Sequence, residues 1–386
     1  MPHCPKRSAA RRVNSGNEEA DGMEQQSGCL VLENGMVFHG KRLGANRNVI
    51  AEVVFATGMN GYLETLTDPS YFGQAVVQTF PLIGNYGVIE EDFEAARPAL
   101  SAYITAECCT DPSNFRCGGR LADWLAEQGI PALTDVDTRT LTRVLREHGT
   151  MNGMICDDPA EADFAAVKAY RVQDAVKHTT CQAAFSLGEP DAAYHVALLD
   201  YGAKANIARS LVRRGCRVTV LPAYTTCGEI AALRPDGIML SNGAGDPADN
   251  PEIIAELQKI MQLGIPIMAI CLGHQLLALA NGIRTVKLKF GHRGANQPVL
   301  NLETKRMAVT TQNHGYQVQY DPEDAHCRET ADLLFVNLND NTCEGLRYRN
   351  IPAVSVQFHP EACAGPQDTE YLFDEFVQRM EEQKCR

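Results

Sequence analysis

The sequence IPIMAICLGHQLLALAN at residues 265–281 decides the fold, because an apolar strand passes directly into a helix there. Residues 265–270 form a continuous apolar run, as expected of a strand that is buried on both faces. Similar strand–helix units precede it, with strands at 196–200, 217–221 and 237–241 and helices at 205–214, 227–233 and 251–263. Strands and helices that alternate in this way predict an α/β fold with a doubly wound, mostly parallel sheet.

The turn between this strand and helix carries a cysteine, Cys271, in the position of a nucleophile elbow. Such a turn is sharp and needs small residues two positions before and after the nucleophile, and Ala269 and Gly273 meet that need. A helix N-terminus favours the thiolate, and the amide of Leu272 is aimed at an oxyanion formed there. The motif alone fits a buried structural cysteine equally well.

A base for this thiol is predicted at His359, within the downstream sequence SVQFHPE at 355–361. Residues two apart in an extended chain point the same way, so His359 and Glu361 share one face, and Pro360 disfavours a helix between them. Glu361 would orient the imidazole as the third member of a triad. Alone, this sequence is more typical of a surface turn. Its combination with Cys271 on an α/β frame predicts nucleophilic catalysis.

Two further loops are candidates for the same site. The glycine-rich loop SNGAGDP at 241–247 follows a predicted strand, so its amides are candidates for an oxyanion hole. It lacks the GxxxxGK[ST] pattern of a phosphate-binding loop, which makes nucleotide binding by this chain the weaker interpretation. The loop QNHGY at 312–316 offers His314 as a rival base, ranked below His359 because a lone histidine beside glycine is usually structural.

The chain divides into four segments by composition and pattern. Residues 1–28 are polar and charged and predict a disordered leader. Residues 29–156 read as short strands and turns followed by helices at 120–128 and 138–148, which predicts an N-terminal mixed α/β domain. Residues 157–194 predict a linker with one helix, and residues 195–386 hold the doubly wound domain. The sequence contains neither a signal peptide nor an apolar run long enough to span a membrane.

The overall charge and the cysteines exclude several classes of function. With 35 Lys and Arg against 48 Asp and Glu, the net charge is −13, which repels nucleic acid and anionic lipid surfaces. The 14 cysteines include no CxxC pair and follow no secretory signal, so neither a disulfide framework nor a metal site is predicted. We expect a reducing cytoplasm, with most thiols as inert core residues. Cys363, close to Glu361, is a candidate oxidation site.

Several motifs carry a resemblance to a known family. Cys271-Leu272-Gly273-His274-Gln275, His359-Pro360-Glu361 and the Gly243 loop together resemble the class I, or triad, glutamine amidotransferases. More narrowly, the chain resembles the small, glutamine-hydrolysing subunits of carbamoyl phosphate synthetases from about residue 29 to its end. The narrower match rests on Gly61-Tyr62 and on the sequences TDPSY at 67–71, GNYG at 84–87, DTR at 137–139 and KFGHRGANQP at 289–298.

The resemblance implies a ligase that releases ammonia from L-glutamine and passes it to a large subunit, which makes carbamoyl phosphate from bicarbonate. It implies a heterodimer in which ATP and Mg are bound by the large subunit and no cofactor by this chain. The product would feed arginine biosynthesis, pyrimidine biosynthesis or both.

The resemblance also assigns roles to residues. Cys271 would be the nucleophile, His359 the acid and base, and Glu361 the orienting carboxylate. The implied glutamine contacts are Gly58, Gly243, Gly245, Leu272, Gln275, Asn313, Gly315 and Tyr316. Two positions depart from the family pattern, because Ala244 replaces the usual Pro and Gly58 replaces a Ser of some members.

Two other functions compete with this interpretation. A stand-alone Cys-His-Glu hydrolase, such as a peptidase or γ-glutamyl hydrolase, would share the elbow and the base but gives no reason for residues 29–156. A non-catalytic regulatory subunit would only dock a partner, and the intact Cys271, His359 and Glu361 set argues against it. Glutaminase activity without a partner would favour the first alternative, and failure of a thiol-directed glutamine analogue to label Cys271 would favour the second.

Overall fold

The computed structural model of the protein describes residues 26–385. The predicted leader lies outside this range except for its last three residues, and the first strand already begins at Ser27. Among the described residues, helices of the length and apolar character needed to cross a membrane are absent.

The first domain is a closed barrel of short strands, with the strand order β1-β2-β8-β6-β4-β3-β9, here called the barrel domain (residues 27–156). Strands β5 and β7 form a separate small pair. The strands are β1 Ser27–Leu32, β2 Val37–Gly44, β3 Val49–Ala56, β4 Gln74–Gln78, β5 Leu82–Ile83, β6 Ala102–Ile104, β7 Glu107–Cys108, β8 Pro131–Thr134 and β9 Met151–Cys156. Its α-helices are α1 Tyr62–Thr67, α2 Leu121–Glu127 and α3 Thr138–His148.

Strand β3 is apolar on both faces because both faces are buried. Val53 and Phe55 belong to one hydrophobic cluster together with Leu141 and Leu145 of α3. Val54, the residue between them, belongs to a second cluster that includes residues of α1 and α2. Alternate residues of a strand point to opposite faces, so β3 is covered on the inside and on the outside of the barrel.

The segment at 157–194 is more ordered than the predicted linker with one helix. It contains two short helices, α4 Phe164–Ala169 and α5 Ala175–Thr179, and a strand, β10 Phe185–Leu187. Asp163 caps the N-terminus of α4 by accepting hydrogen bonds from the amides of Ala165 and Ala166. Strand β10 pairs antiparallel with the edge of the large sheet, so the end of the segment is packed onto the second domain, whereas Tyr170 bonds to the carbonyl of Gly73 in the first domain.

The second domain is an α/β sheet, here called the sheet domain (residues 185–384), with the order β10-β12-β11-β13-β14-β19-β18-β17-β15-β16. Its other strands are β11 Tyr194–Tyr201, β12 Cys216–Pro222, β13 Gly237–Gly243, β14 Ile267–Ile270, β15 Thr285–Asn301, β16 Met307–Val318, β17 Ala331–Asn337, β18 Cys343–Tyr348 and β19 Ala353–Val356. Its helices are α6 Ala205–Arg213, α7 Cys227–Leu233, α8 Pro251–Ile260, α9 Leu272–Ala280, α10 Ala325–Thr330 and α11 Tyr371–Lys384.

Within the sheet, the neighbouring strands β12, β11, β13, β14 and β19 are parallel to one another. Antiparallel strands extend the sheet beyond β19. Val196 and Leu198 of β11 share a cluster with residues of α6 and α11, whereas Ala197 and Leu199 share one with residues of α8 and α9. Helices therefore cover both faces, which confirms the predicted doubly wound fold. Parallel strands end at one edge, so the segments after β13, β14 and β19 meet there.

Candidate active site

Cys271 has the backbone of a strained turn between β14 and α9. Its φ of 53° and ψ of −106° lie outside the regions that L-residues usually adopt. A Cβ atom at Gly273 would lie 2.5 Å from the carbonyl oxygen of Leu240 in β13, so only glycine lets α9 start this close to the sheet. The Cys271 amide donates to the carbonyl of Val356 across 2.9 Å, and this bond fixes the turn against β19.

His359 and Glu361 form a buried pair behind Cys271. Nδ1 of His359 lies 2.6 Å from Oε1 of Glu361, and both residues are less than 5% exposed. The His359 amide donates to the carbonyl of Thr311 in β16, which anchors the loop after β19. Nε2 of His359 has no hydrogen-bond partner among the described residues, so it is free to exchange a proton with a reacting group.

The charges around this pair favour an imidazolium beside a carboxylate. Burial alone would lower the pKa of His359, but the Glu361 carboxylate and the neighbouring Cys271 thiol outweigh burial and raise that pKa to about 10. Burial alone would raise the pKa of Glu361, yet Lys204 and His359 lower it to about 2. Each partner therefore stabilises the charged form of the other.

Lys204 supplies a buried cation that the sequence did not reveal as part of the site. Its Nζ lies 3.2 Å from Oε1 of Glu361 and donates to the carbonyls of Ala362 and Cys363. Burial alone would lower the pKa of Lys204, but Glu361 and then Glu94 raise it above the ordinary lysine range. A lysine three residues after β11 ends carries no motif, so only the folded arrangement identifies it.

A cleft of about 970 Å³ opens in front of Cys271 between the barrel domain and the sheet domain. Seven of the predicted site residues line it, namely Gly243, Gly245, Cys271, Gln275, Asn313, Gly315 and Tyr316. Leu272 is buried behind the cleft wall. Because Leu272 is the first residue of α9, its N–H has no acceptor within the helix. This amide remains a candidate for the oxyanion hole.

Gly58, another predicted glutamine contact, is not among the residues that line the cleft, so its role stays a prediction. Its carbonyl accepts a hydrogen bond from Nε2 of Gln78. Ser70 of the same domain lines the cleft instead. The sequence TDPSY contained Ser70, but only the fold shows which of the two segments reaches the cleft.

Two hydrogen bonds join the domains at the wall of the cleft. Nδ2 of Asn313 donates to Oδ2 of Asp68 across 2.9 Å, and Nδ2 of Asn242 donates to Oγ of Ser70 across 2.8 Å. Asp68 also accepts from the amide of Ser70 and thereby caps a single helical turn at 69–71. The barrel domain therefore fixes two side chains of the sheet domain, and one of them, Asn313, lines the cleft beside the nucleophile.

Gln275 and His314 occupy neighbouring positions in the cleft wall. Nε2 of Gln275 donates to the carbonyl of Tyr316 and to Oε1 of Gln357. Nδ1 of His314 lies 2.7 Å from the carbonyl of Tyr316, and its Nε2 lies 3.1 Å from Oε1 of Gln312. Burial keeps the pKa of His314 well below its usual value. Both ring nitrogens are thus engaged, which favours His359 over His314 as the base.

Arg293 is a second buried cation at the cleft that sequence reasoning did not single out. It lines the cleft and is 4% exposed, and its Nη1 donates to the carbonyl of Phe290 across 2.7 Å. Burial lowers its pKa. The arginine lies in the stretch KFGHRGANQP, where its charge gave no indication of burial.

One group of side chains among residues 26–385 has the composition of a metal site. His292, His314 and Glu344 are buried, and their donor atoms lie within 4.8 Å of one another. Nε2 of His292 already bonds to Asp340, and both nitrogens of His314 are engaged as described above. A metal ion would have to displace these hydrogen bonds, so we assign this group as a hydrogen-bonded cluster.

The cysteines are less uniformly buried than expected. Of the 13 described cysteines, six are buried, namely Cys29, Cys156, Cys216, Cys271, Cys327 and Cys343. Cys363 is partly buried, and burial raises the pKa of its thiol. A raised thiol pKa slows oxidation of Cys363. Cys271 differs from the other described cysteines because it lines the cleft.

Comparison with known families matches both domains. The family described as glutamine amidotransferase class-I matches residues 197–379, which cover the elbow, the cleft loops and the His359–Glu361 pair. The sheet domain is thus of the class I amidotransferase type. The family described as carbamoyl-phosphate synthase small chain, CPSase domain, matches residues 30–155, which correspond to the barrel domain.

Curated relatives match the two domains together. The chain is 48% identical over 354 residues to a carbamoyl phosphate synthase small chain of Bacillus cereus, covering 91% of this chain and 95% of that one. It is 46% identical over 356 residues to one of Bacillus caldolyticus, covering 92% and 96%. It is 47% identical over 351 residues to one of Clostridium perfringens, covering 90% and 98%. The chain therefore belongs to the carbamoyl phosphate synthase small chain family.

Proposed function

We propose that this chain hydrolyses L-glutamine and delivers the ammonia to a large subunit that makes carbamoyl phosphate from bicarbonate. The observation that carries the proposal is the meeting of Cys271 with the His359–Glu361 pair beside an open cleft, in a chain of this family. A thiol, a base and an orienting carboxylate are the parts that nucleophilic amide hydrolysis requires.

In the first half of the reaction, the Cys271 thiolate attacks the side-chain amide carbon of glutamine. The amides of Leu272 and Gly243 stabilise the negative oxygen of the tetrahedral intermediate. The His359 imidazolium donates its proton to the leaving nitrogen, which departs as ammonia and leaves a thioester on Cys271. Glu361 holds the imidazole in place and stabilises its charged form.

In the second half, the same imidazole accepts a proton from water. The resulting hydroxide attacks the thioester carbonyl, glutamate leaves, and the Cys271 thiolate is restored. Gly243, Gly245, Gln275, Asn313, Gly315 and Tyr316 hold the substrate through the polar groups of the cleft wall. Ser70 lines the same cleft, and the contact of Gly58 with glutamine stays a prediction.

The released ammonia implies a partner that consumes it. We expect a large chain that binds ATP and Mg, while the present chain binds no cofactor of its own. The heterodimer would operate in the cytoplasm, because the proposed nucleophile is a free thiol that must stay reduced.

The test is substitution of Cys271 by Ser in the complex reconstituted with the large chain. Glutamine-dependent synthesis of carbamoyl phosphate should fall below detection, whereas synthesis from added ammonium chloride should persist at the wild-type rate. Retention of the glutamine reaction would refute the assignment of Cys271. If the isolated wild-type chain hydrolysed glutamine at full rate and the large chain had no influence, the stand-alone hydrolase would be the better description.

A further inference from the structure

Glu94 of the barrel domain is a buried carboxylate to which the mechanism gives no role. Its side chain is completely shielded from solvent, although it belongs to the loop after a short turn at 90–92. The Nδ2 group of Asn206 donates to its Oε1 across 2.7 Å, and the Asn206 amide donates to its Oε2 across 3.1 Å. Burial raises the pKa of Glu94, whereas Lys204 and the hydrogen bonds from Asn206 oppose this effect and favour the carboxylate.

The contacts of Glu94 fix the start of helix α6 to the barrel domain. The backbone carbonyl of Glu94 accepts from the amide of Ala205, and its own amide donates to Oγ1 of Thr67. Lys204, the residue before Ala205, is the cation that contacts Glu361. The Nζ atom of Lys204 lies 4.0 Å from Oε1 of Glu94 and 3.2 Å from Oε1 of Glu361.

One ammonium group therefore lies between two buried carboxylates from different domains. If Glu94 were neutral, Lys204 would lose one of the carboxylates that attract it and would be drawn more strongly toward Glu361. Lys204 would then neutralise more of the negative charge of Glu361, and Glu361 would stabilise the imidazolium of His359 less. Through one cation, a barrel-domain residue influences how strongly the orienting carboxylate holds the imidazole.

We propose that Glu94 is a positioning residue for the glutaminase reaction, acting through Lys204 on Glu361 and His359. The inference rests on the proposed function, which supplies the reaction that His359 serves. It makes the barrel domain a contributor to catalysis, because the orientation and charge of the base depend on a residue that never reaches the cleft.

The charge has a definite effect on pH dependence. Removing a negative charge near a cation disfavours the cation, so the imidazolium of His359 should lose its proton at lower pH when Glu94 is neutralised. The other titratable groups that face this cluster are Glu64, Asp68, Cys363 and His314. Burial raises the pKa of Glu64 to about 7, so measurements on the alkaline side avoid its titration.

The experiment compares Glu94→Gln with wild type in the complex with the large chain. We expect kcat for glutamine hydrolysis to fall about tenfold with KM changed less than about twofold, because Glu94 contacts neither substrate nor nucleophile. The alkaline limb of the kcat/KM profile should move to lower pH by about half a unit or more. Glu94→Asp, which keeps the charge, should restore part of kcat and most of the pH profile.

A second measurement does not depend on activity. The titration of His359 is followed by NMR in the full chain labelled with ¹⁵N-histidine, assigned with His359→Asn. Glu94→Gln should lower the midpoint, whereas Glu91→Gln, an exposed change in the same loop, should leave it and kcat unchanged. If wild type hydrolyses no glutamine, the proposed function fails while this titration still tests Glu94.

A purely structural role for Glu94 would give a different pattern. Glu94→Gln would then lower the melting temperature but leave kcat per folded molecule and the His359 midpoint unchanged, and this outcome would overturn the proposal. Should Glu94→Gln not fold, Glu94→Asp decides the question: because its carboxylate is displaced but still charged, kcat per folded molecule should fall in part while the His359 midpoint moves little, and an unchanged kcat would overturn the proposal.

Discussion

Lys204 and Glu361 form an ion pair that solvent does not reach, with 3.2 Å between Nζ and Oε1 and side chains that are 4% and 0% exposed. Two charges in such a place are stable only when further hydrogen bonds satisfy them. Glu361 contacts His359 as well, and Lys204 donates to two backbone carbonyls of the same loop. The base therefore belongs to a chain of charges that extends one residue beyond the triad.

Substitution of Lys204 by Met is the first prediction. It leaves the Glu361 carboxylate buried without its main counter-charge, so we expect a loss of about 3–5 kcal/mol in the free energy of unfolding at pH 7. Urea denaturation of the full chain measures this loss. Lys259→Met, which removes a cation from an exposed pair with Glu256, serves as the control and should change stability little.

The Lys204→Met variant should also change how the free energy of unfolding depends on pH. The folded-state pKa of Glu361 is about 2, below its ordinary value of 4.5, so its pairing stabilises the fold above pH 4.5 and this contribution is lost as pH falls toward 2. Without Lys204 the folded-state pKa rises, and the stabilisation from Glu361 shrinks or vanishes. An acid denaturation profile identical to wild type would contradict the pairing.

Substitution of Glu361 by Gln is the second prediction, and it concerns the base. The carboxylate is the main reason that the pKa of His359 rises to about 10 against burial, so its loss should bring that pKa down. We expect the alkaline limb of glutaminase activity to move toward neutral pH and kcat to fall by roughly 100-fold or more. Steady-state assays from pH 6 to 10.5 test both, and an unmoved alkaline limb would refute the assigned role.

The sequence was sufficient to predict the elements that depend on neighbouring residues. The run from 265 to 281 identified the strand, the turn and the helix around Cys271, because small residues at 269 and 273 and an apolar strand are local signals. The predicted helix at 138–148 matches α3, whose Asp137 caps the first turn. The doubly wound sheet followed from the order of strands and helices.

Features that depend on distant parts of the chain were not predictable. The barrel closes because β1 pairs with β9, more than 110 residues apart, and short strands carry no signal for closure. Gly58 and Ser70 lie in similar turn-forming sequences, yet only Ser70 reaches the cleft. Lys204 and Glu94 are charged residues without a motif, and their burial results from packing between the two domains.

Substitution of Gly273 by Ala is the third prediction. Its Cβ would lie 2.5 Å from the Leu240 carbonyl oxygen and 2.8 Å from the Leu240 Cβ, and both neighbours are held in the central sheet. We expect a loss of about 2–4 kcal/mol in stability and a strong loss of glutaminase activity, because α9 must shift and carry Cys271 with it.

The control for this variant is Gly228→Ala. Gly228 lies in helix α7 with open space around it, so alanine should leave the fold unchanged or stabilise it slightly by its better helix propensity. Thermal melting and glutaminase assays on both variants test the contrast. If Gly273→Ala were as harmless as Gly228→Ala, the close approach of α9 to β13 would not be required for the elbow.

Substitution of Asp68 by Ala is the fourth prediction, and it separates substrate binding from chemistry. Asp68 accepts a hydrogen bond from Asn313 in the cleft wall and caps the turn that carries Ser70, but it contacts none of the triad residues. Loss of a hydrogen bond to a charged group should raise KM for glutamine roughly tenfold. We expect a smaller change in kcat, because Cys271 and His359 keep their own partners.

Asp158 offers a matched control for Asp68, because it caps a similar Asp-Pro turn at 159–161 through the amide of Ala160. Asp158→Ala removes the same kind of cap at an exposed position, so it should cost comparable local stability and leave KM unchanged. The two variants are compared by glutamine titration in the complex. Equal KM values would mean that Asp68 acts only as a turn cap and that Asn313 does not need the barrel domain to hold its place in the cleft.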